Sequence, residues 1–278
     1  MDLAHVLALM DRHQRIELLE RGCHREVAPE AVRQIHQGQG TGMVIYSRLT
    51  EENADRVIGE QIAAFRALDQ DFEWKLYGHD TPSNLKDRLL TRGFTAEDAE
   101  SVMVLEVENA PAELLRPPAC DIRRVVAPAQ LAGIGRIHES VWSSVDPEYV
   151  AARTAHYLAA LTDNLIHDPE RESVYLAYSV GIPVSYARIT FQEEDPFAGL
   201  WGGSTLEAHR RKGFYTALLA ARLQEAKRRG VRFLTLDASA MSRPIVERHG
   251  FQFVTTTQPF QWRHSPGQRM RCPGNTDD

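Results

Sequence analysis

The chain has 278 residues, 43% of them hydrophobic and 25% charged, which fits one large or two small globular domains and excludes wholesale disorder. A net charge of −6 argues against a general nucleic-acid binder, which needs a basic surface. No apolar run approaches the about 20 residues of a membrane-spanning helix. The N-terminal Met1-Asp2-Leu3-Ala4-His5 lacks the basic start and apolar core of a secretory signal. Cys23, Cys120 and Cys272 are scattered without CxxC spacing, so neither a disulfide framework nor a zinc site is indicated. The expected setting is the cytoplasm, with no metal, nucleic-acid or membrane partner.

Along the first half, Gly38-Gln39-Gly40-Thr41-Gly42 hints at a dinucleotide loop but lacks a preceding strand and the third spaced glycine, and reads as a flexible turn. Ala54, Val57, Ile58, Ile62, Phe65 and Leu68 recur at spacings of three and four, which predicts an amphipathic helix after Thr50. Phe72, Trp74 and Leu76 alternate with Glu73, Lys75 and Tyr77 as a strand would. A turn at Pro82 leads to a short helix closing on Arg92-Gly93-Phe94, where glycine suits the left-handed position. An apolar stretch over 102–107 ends this half, and Pro111, Pro117 and Pro118 mark a linker near residues 110–119.

The second half predicts helices over 128–142 and 150–164, then strands over 173–180, 183–191 and 200–206. Glu193-Glu194-Asp195 reads as a solvated loop between strands. A helix with Leu218, Leu219, Leu223 and Ala226 on one face ends at Gly230, and the strand 231–236 follows. A short helix after Pro244 closes on His249-Gly250-Phe251. The order helix, strand, helix, Gly-Phe thus occurs twice, which suggests a duplicated α/β unit. The fold class is α/β (α+β), with mixed sheets flanked by helices. The expected domains are 1–112 and 119–264, with 265–278 a disordered tail rich in Pro and Gly. The 11 histidines show no HxxxH pair on a helix, and His209 and His249 read as surface groups. Trp142, Trp201 and Tyr186 read as core or pocket-wall residues.

The segment with the most chemistry runs from Thr205 to Leu219: a strand enters a basic turn with one glycine, and a helix begins at once. The first turn of a helix leaves N–H groups unpaired and carries the positive end of its dipole. A pyrophosphate fits there, with Arg210, Arg211 and Lys212 beside it and Gly213 permitting close backbone approach. A solvated basic helix start with a turn glycine is the plain alternative.

Here the sequence resembles the GCN5-related N-acetyltransferase (GNAT) family. Arg210-Arg211-Lys212-Gly213 followed by Phe214-Tyr215 is similar to that family's Arg/Gln-x-x-Gly-x-Gly/Ala loop, with Tyr215 replacing the last small residue. The stretch from Ala238-Ser239 to Glu247-Arg248-His249-Gly250-Phe251 is similar to its closing helix. The resemblance is good over about residues 170–262, and it implies a tandem acyl-CoA N-acyltransferase-like fold and an acetyltransferase using acetyl-CoA as co-substrate, without a metal. Backbone groups of Ser204, Thr205 and Leu206 would pair with the pantetheine arm. Amides from Arg211 to Thr216, including Gly213, Phe214 and Tyr215, would hold the pyrophosphate, and Ser239 would lie near the pantetheine end. An amine of a small molecule or peptide would attack the thioester directly, which needs a base, an oxyanion donor and an acid.

The family's usual tyrosine acid is replaced by Val246, which donates no proton. Ser239, Ser242 or Tyr215 could serve instead, or the thiolate could leave unassisted. Asp237 is the expected base, with Glu207 and Glu193 behind it. A CoA-binding module without catalysis and transfer of a longer acyl group remain the alternatives. In the first half the corresponding helix begins Leu49-Thr50-Glu51-Glu52-Asn53, whose acids would repel a pyrophosphate. That half is expected to be a degenerate structural partner walling the acceptor pocket.

Overall fold

The computed structural model describes residues 1–38, 40–142 and 146–264. The expected tail, 265–278, lies outside them, as do Gln39 and Cys272. In chain order the elements are α1 (Leu3–Met10) continuing into a π-helical turn (Asp11–Ile16), β1 (Cys23–Val27), β2 (Ala31–His36), β3 (Gly42–Ser47), α2 (Ala54–Ala67), β4 (Phe72–Tyr77), α3 (Leu85–Thr91), β5 (Thr95–Ala96) and β6 (Glu100–Glu106). They continue with β7 (Asp121–Arg124), α4 (Ala132–Val141), α5 (Pro147–His167), β8 (Glu172–Ser179), β9 (Ile182–Phe191), β10 (Phe197–Thr205), α6 (Phe214–Arg228), β11 (Phe233–Ala238), α7 (Arg243–Arg248) and β12 (Gln252–Trp262). The expected helices and strands are present within a few residues of their predicted limits. Outside the predicted elements lie α1, the hairpin β1–β2, β3, β5, β7 and the long last strand β12; β2 ends two residues before Gly38, so the glycine segment does follow a strand, contrary to the expectation.

The expected division at residues 112 and 119 follows the chain, whereas compactness follows packing. One compact unit holds Met1–Met103, Asp237–Val246 and the chain from Phe253; the other holds Val104–Leu236 and Glu247–Gln252. In the first unit β1, β2, β3, β4 and β12 lie side by side. Strand β12 runs antiparallel to β4, with Phe260 opposite Trp74 and Trp262 opposite Phe72. Those four rings pack with Ala54, Val57, Ile58 and Phe65 of α2 into one core. Phe65 stacks on Phe72 with centroids 4.2 Å apart. A side chain at Gly42 would run into Phe65, so only glycine lets the helix close on the sheet there.

In the second unit the order is β11, β10, β9, β8, β7. Strand β8 is covered on both faces, and its alternation shows how. Val174 and Leu176 pack with Ile134 and Ile137 of α4 and Leu161 of α5. Ser173 and Tyr175 point to α6, where both donate to the Glu225 carboxylate at 2.8 and 2.7 Å. Tyr186 is core, as expected, whereas Trp201 is exposed. Gly93 and Gly250 close the two short helices α3 and α7 at φ 88° and 89°, and the phenylalanine after each is buried. The repeated unit read from the sequence is thus matched down to its left-handed glycine.

Candidate functional site

Strand β10 separates from one neighbour while keeping the other. It pairs antiparallel with β9 as far as Thr205 opposite Ser185. Its parallel pairing with β11 covers only Phe197 to Gly199, opposite Phe233 to Thr235. From Leu200 onward, that edge of β10 has no strand beside it among the described residues. The ladder with β9 is irregular between Gly202 and Ser204, where Gly202 and Gly203 have φ of 70° and 102°. Such a bulge re-aims a strand next to a site.

The amide of Leu206 donates to Val184 O at 2.9 Å, and its carbonyl accepts from His209 N at 2.8 Å. Both ends of the Leu206 backbone are therefore engaged. Ser204, two residues back, faces β9 as well, and its carbonyl accepts from the Ser185 hydroxyl at 2.9 Å. By the alternation of an antiparallel ladder, Thr205 turns its N–H and C=O the other way, and the carbonyl there accepts from Arg210 Nε at 3.4 Å. The Thr205 hydroxyl meets Ser185 Oγ at 2.7 Å.

A tight turn then leads to α6. Arg211 sits at φ 59° and Gly213 at φ 84°. Alternating left-handed residues curl successive amides to one side, as in anion-binding nests. No side chain caps α6, and its first turn holds no acid, so the amides of Phe214, Tyr215 and Thr216 keep their positive end of the dipole uncompensated. Arg210, Arg211 and Lys212 are exposed, and none is paired with a carboxylate among the described residues. A Cβ at Gly213 would meet nothing within 4 Å; the space before the turn is open, and glycine is required by the backbone angle.

Two contacts at this helix start were not legible as site features. The Tyr215 ring closes on the bulge, 3.2 Å from where a Gly203 Cβ would stand, and burial pushes its phenol above the usual range although Arg222 pulls it back. His249, expected at the surface, is half-buried: Nε2 lies 3.3 Å from Thr216 Oγ1, and Nδ1 lies 3.3 Å from Glu113 Oε1. The adjacent glycines at 202 and 203 were the available signal for the bulge. Nothing in the spacing of His249 and Glu113 announced their meeting.

An open strand edge running up to an uncapped, basic helix start suits an elongated ligand ending in phosphates. Residues 138–251, which contain both elements, match the acetyltransferase (GNAT) family. That segment is a GNAT domain. The fold of the chain as a whole agrees. It is similar to a GCN5-related N-acetyltransferase from Kribbella flavida, with TM-score 0.66 and 18% identity over 95% of this chain and 96% of that one. It is also similar to a tandem GNAT protein from the clavulanic acid biosynthesis pathway, with TM-score 0.55 and 14% identity over 96% of each chain. A GCN5-related N-acetyltransferase from Sphaerobacter thermophilus gives TM-score 0.57 and 14% identity over 95% and 86%. No curated protein matches the sequence. Among the described residues no helix is long and apolar enough to cross a membrane.

The repeated order of elements read from the sequence sets α2 as the counterpart of α6, and the two helix starts differ. Before α2, the Thr50 amide donates to Asn53 Oδ1 at 2.8 Å and the Asn53 amide to Thr50 Oγ1 at 3.3 Å. Neither helix start has a side-chain cap, but at α2 the first amide, that of Ala54, is taken by the Thr50 carbonyl at 3.1 Å, and Asp55 places an acid in the first turn where an anion would sit.

The two expected catalytic side chains, Asp237 and Ser239, are both engaged. Asp237 Oδ2 lies 2.8 Å from Lys75 Nζ. Burial works against the Lys75 ammonium, yet Tyr77, Asp237 and Glu73 hold its pKa above the usual lysine value. Asp237 is thus one half of an ion pair rather than a free carboxylate. Ser239 shapes the turn into α7: its Oγ accepts from the Ser242 amide at 3.3 Å and lies 3.2 Å from Ser242 Oγ. Val246 is 1% exposed, so the residue at the usual tyrosine position packs in a core. Asp237 and Ser239 belong to the first compact unit, whereas residues 204–216 belong to the second.

Proposed function

We propose that this protein is an acetyl-CoA-dependent N-acetyltransferase acting on an amine of a small molecule or peptide. The observation that carries the reading is the uncapped start of α6, with Gly213 at φ 84°, directly beyond a β10 edge that β11 leaves unpaired after Gly199. The Thr205 N–H would pair with the pantetheine arm, flanked by Ser204 and Leu206, and the Thr205 C=O would do so once Arg210 Nε, 3.4 Å away, turns from it. Amides from Arg211 to Thr216 would take the pyrophosphate, with Arg210, Arg211 and Lys212 adding charge. When bound, acetyl-CoA supplies an activated acetyl thioester.

The amine must reach the thioester without its proton, so the protein has to hold a base near it. Asp237 can act only by sharing its carboxylate with Lys75. A proton for the departing sulfur would come from Ser239 or Tyr215, or from solvent, since a thiol of pKa about 8.5 is a tolerable leaving group.

The engagement of Asp237 and Ser239 favours one second reading, a CoA-binding module without turnover. Calorimetric titration with acetyl-CoA and with CoA, followed by thiol release with a panel of amines, separates them. Micromolar binding with amine-dependent thiol release supports the transferase. Binding without release across the panel supports the module, and no binding at millimolar ligand removes both.

A further inference from the structure

The segment expected as a linker is fastened to α6. Leu114 is fully buried, and Gln224 of α6 donates to the carbonyls of Leu114 at 3.1 Å and Arg116 at 2.7 Å. A side chain at Gly250 would come within 3.2 Å of Pro111. Glu113 stands between these anchors and is thereby brought to His249.

Three side chains from three parts of the chain then form a row. Glu113 Oε1 lies 3.3 Å from His249 Nδ1, and His249 Nε2 lies 3.3 Å from Thr216 Oγ1. Thr216 is the third residue of α6, and its amide belongs to the proposed pyrophosphate cradle. The imidazole is largely covered, with 13% of its side chain exposed, against 57% for Glu113.

Donors and acceptors along the row allow two states. An ionised carboxylate only accepts, so the proton of a neutral imidazole sits on Nδ1, facing Glu113. Nε2 then presents a lone pair, and the Thr216 hydroxyl donates its proton to it. A phosphate at the helix start would meet the lone pairs of that hydroxyl, which repel it. An imidazolium carries protons on both nitrogens. Its Nε2–H donates to Thr216 Oγ1, and the hydroxyl proton is released toward the anion.

We propose that His249, aligned by Glu113, is a positioning residue for the Thr216 hydroxyl, so that a ligand phosphate binds with uptake of a proton by the imidazole. The inference rests on the acetyl-CoA reading of the α6 start and adds a proton-linked contact to it. The proton comes from solvent, and no bond of the ligand breaks. Glu113 is the charged group that faces the ring from the linker, and Arg248 and Glu247 precede it in the chain. From α6 the titratable neighbour is Tyr215, with ring centroids 6.1 Å apart, and burial pushes that phenol up.

Dephospho-CoA is the probe, because it keeps the pyrophosphate but lacks the phosphomonoester of CoA, a group that itself titrates at about pH 6. Calorimetric titration of the full chain should give about three- to tenfold tighter binding near pH 6 than near pH 7.5. Heats measured in two buffers of different ionisation enthalpy should report net proton uptake. His249→Gln takes no proton, and Thr216→Val keeps the shape without the hydroxyl. Both should lose the pH dependence and the uptake while thermal unfolding shows them folded. Glu113→Gln can donate to Nδ1 through its amide, which moves the neutral ring's proton to Nε2. Its affinity near pH 7.5 should rise toward the value near pH 6. Proton uptake that persists in Thr216→Val overturns the proposal, since direct attraction between imidazolium and phosphate would then explain it. CoA binding without dephospho-CoA binding, or dephospho-CoA binding of equal affinity at both pH values without uptake, overturns this inference alone. No binding of either ligand at millimolar concentration overturns the acetyl-CoA reading and this inference with it.

Discussion

Arg15 and Asp80 form a two-pronged ion pair, Nη2 to the two carboxylate oxygens at 2.7 and 2.8 Å, with side chains 1% and 2% exposed. Arg15 also donates to Asp11 at 2.6 Å and to the Ile45 carbonyl at 3.0 Å. Burial opposes its charge, but Asp80, Tyr77 and Asp11 hold its pKa above the ordinary arginine value, so it stays cationic. Removing one partner of such a pair leaves a buried charge uncompensated. Asp80→Ala is therefore expected to destabilise the protein by about 3–5 kcal/mol. Urea unfolding measures this as a lower midpoint with an unchanged slope. A loss below about 1 kcal/mol would mean that water reaches Arg15.

At the α6 start, charge and backbone angle are separable. Arg211→Glu reverses a charge beside the proposed phosphates without altering the turn glycine, and should weaken CoA binding about 10- to 100-fold, the loss of one charge-assisted contact. Gly213→Ala introduces a Cβ into open space but at φ 84°, so its cost is conformational, about 1–2 kcal/mol. Gly213→Asp adds an anion in front of the amides and should weaken CoA binding more than Gly213→Ala does. Equal affinities for wild type, Arg211→Glu and Gly213→Asp by calorimetry would remove the phosphate site.

The parts of this arrangement that could be read in advance are those a residue writes locally. Gly93, Gly213 and Gly250 each hold a left-handed angle that other residues avoid, so helix ends and the anion-ready turn announced themselves. The apolar spacing of α2 did the same for one core. Pairings across the chain left no such mark. Lys75 and Asp237 are 162 residues apart in sequence and 2.8 Å apart in space, so Asp237 looked like a free base. Strand β12, with Thr255-Thr256-Thr257 and Pro259 in its middle, has little periodicity, and only its partnership with β4 explains Phe260 and Trp262.

Glu225 sets an acid limit on the second unit. Burial raises its carboxyl, but hydrogen bonds from Tyr175, Ser173 and Arg229 outweigh this and lower its pKa below the ordinary 4.5. The charged form is thus favoured in the folded state. Its contribution is present above pH 4.5 and lost as pH falls through the depressed folded value. Glu225→Gln should cost about 1–3 kcal/mol at pH 7, and the cost should shrink when unfolding is repeated well below pH 4. A pH-independent loss would assign the effect to packing.

The hairpin tip between β8 and β9 carries strain that no contact repays. Val180 has φ 50° and Gly181 φ 77°, a two-residue turn that needs left-handed angles at both positions and favours Asn-Gly. A β-branched residue there is a genuine outlier. Val180 is 99% exposed, so its side chain gains nothing from burial, and the tip is far from optimal for its own geometry. Val180→Asn should raise stability by about 1 kcal/mol, a rise of about 2–4 °C in the thermal midpoint for a chain of this size. Val180→Gly should gain less, because glycine also frees the unfolded chain. Differential scanning calorimetry orders the three proteins; a midpoint for Val180→Asn at or below wild type would show that the turn relaxes its angle at no cost.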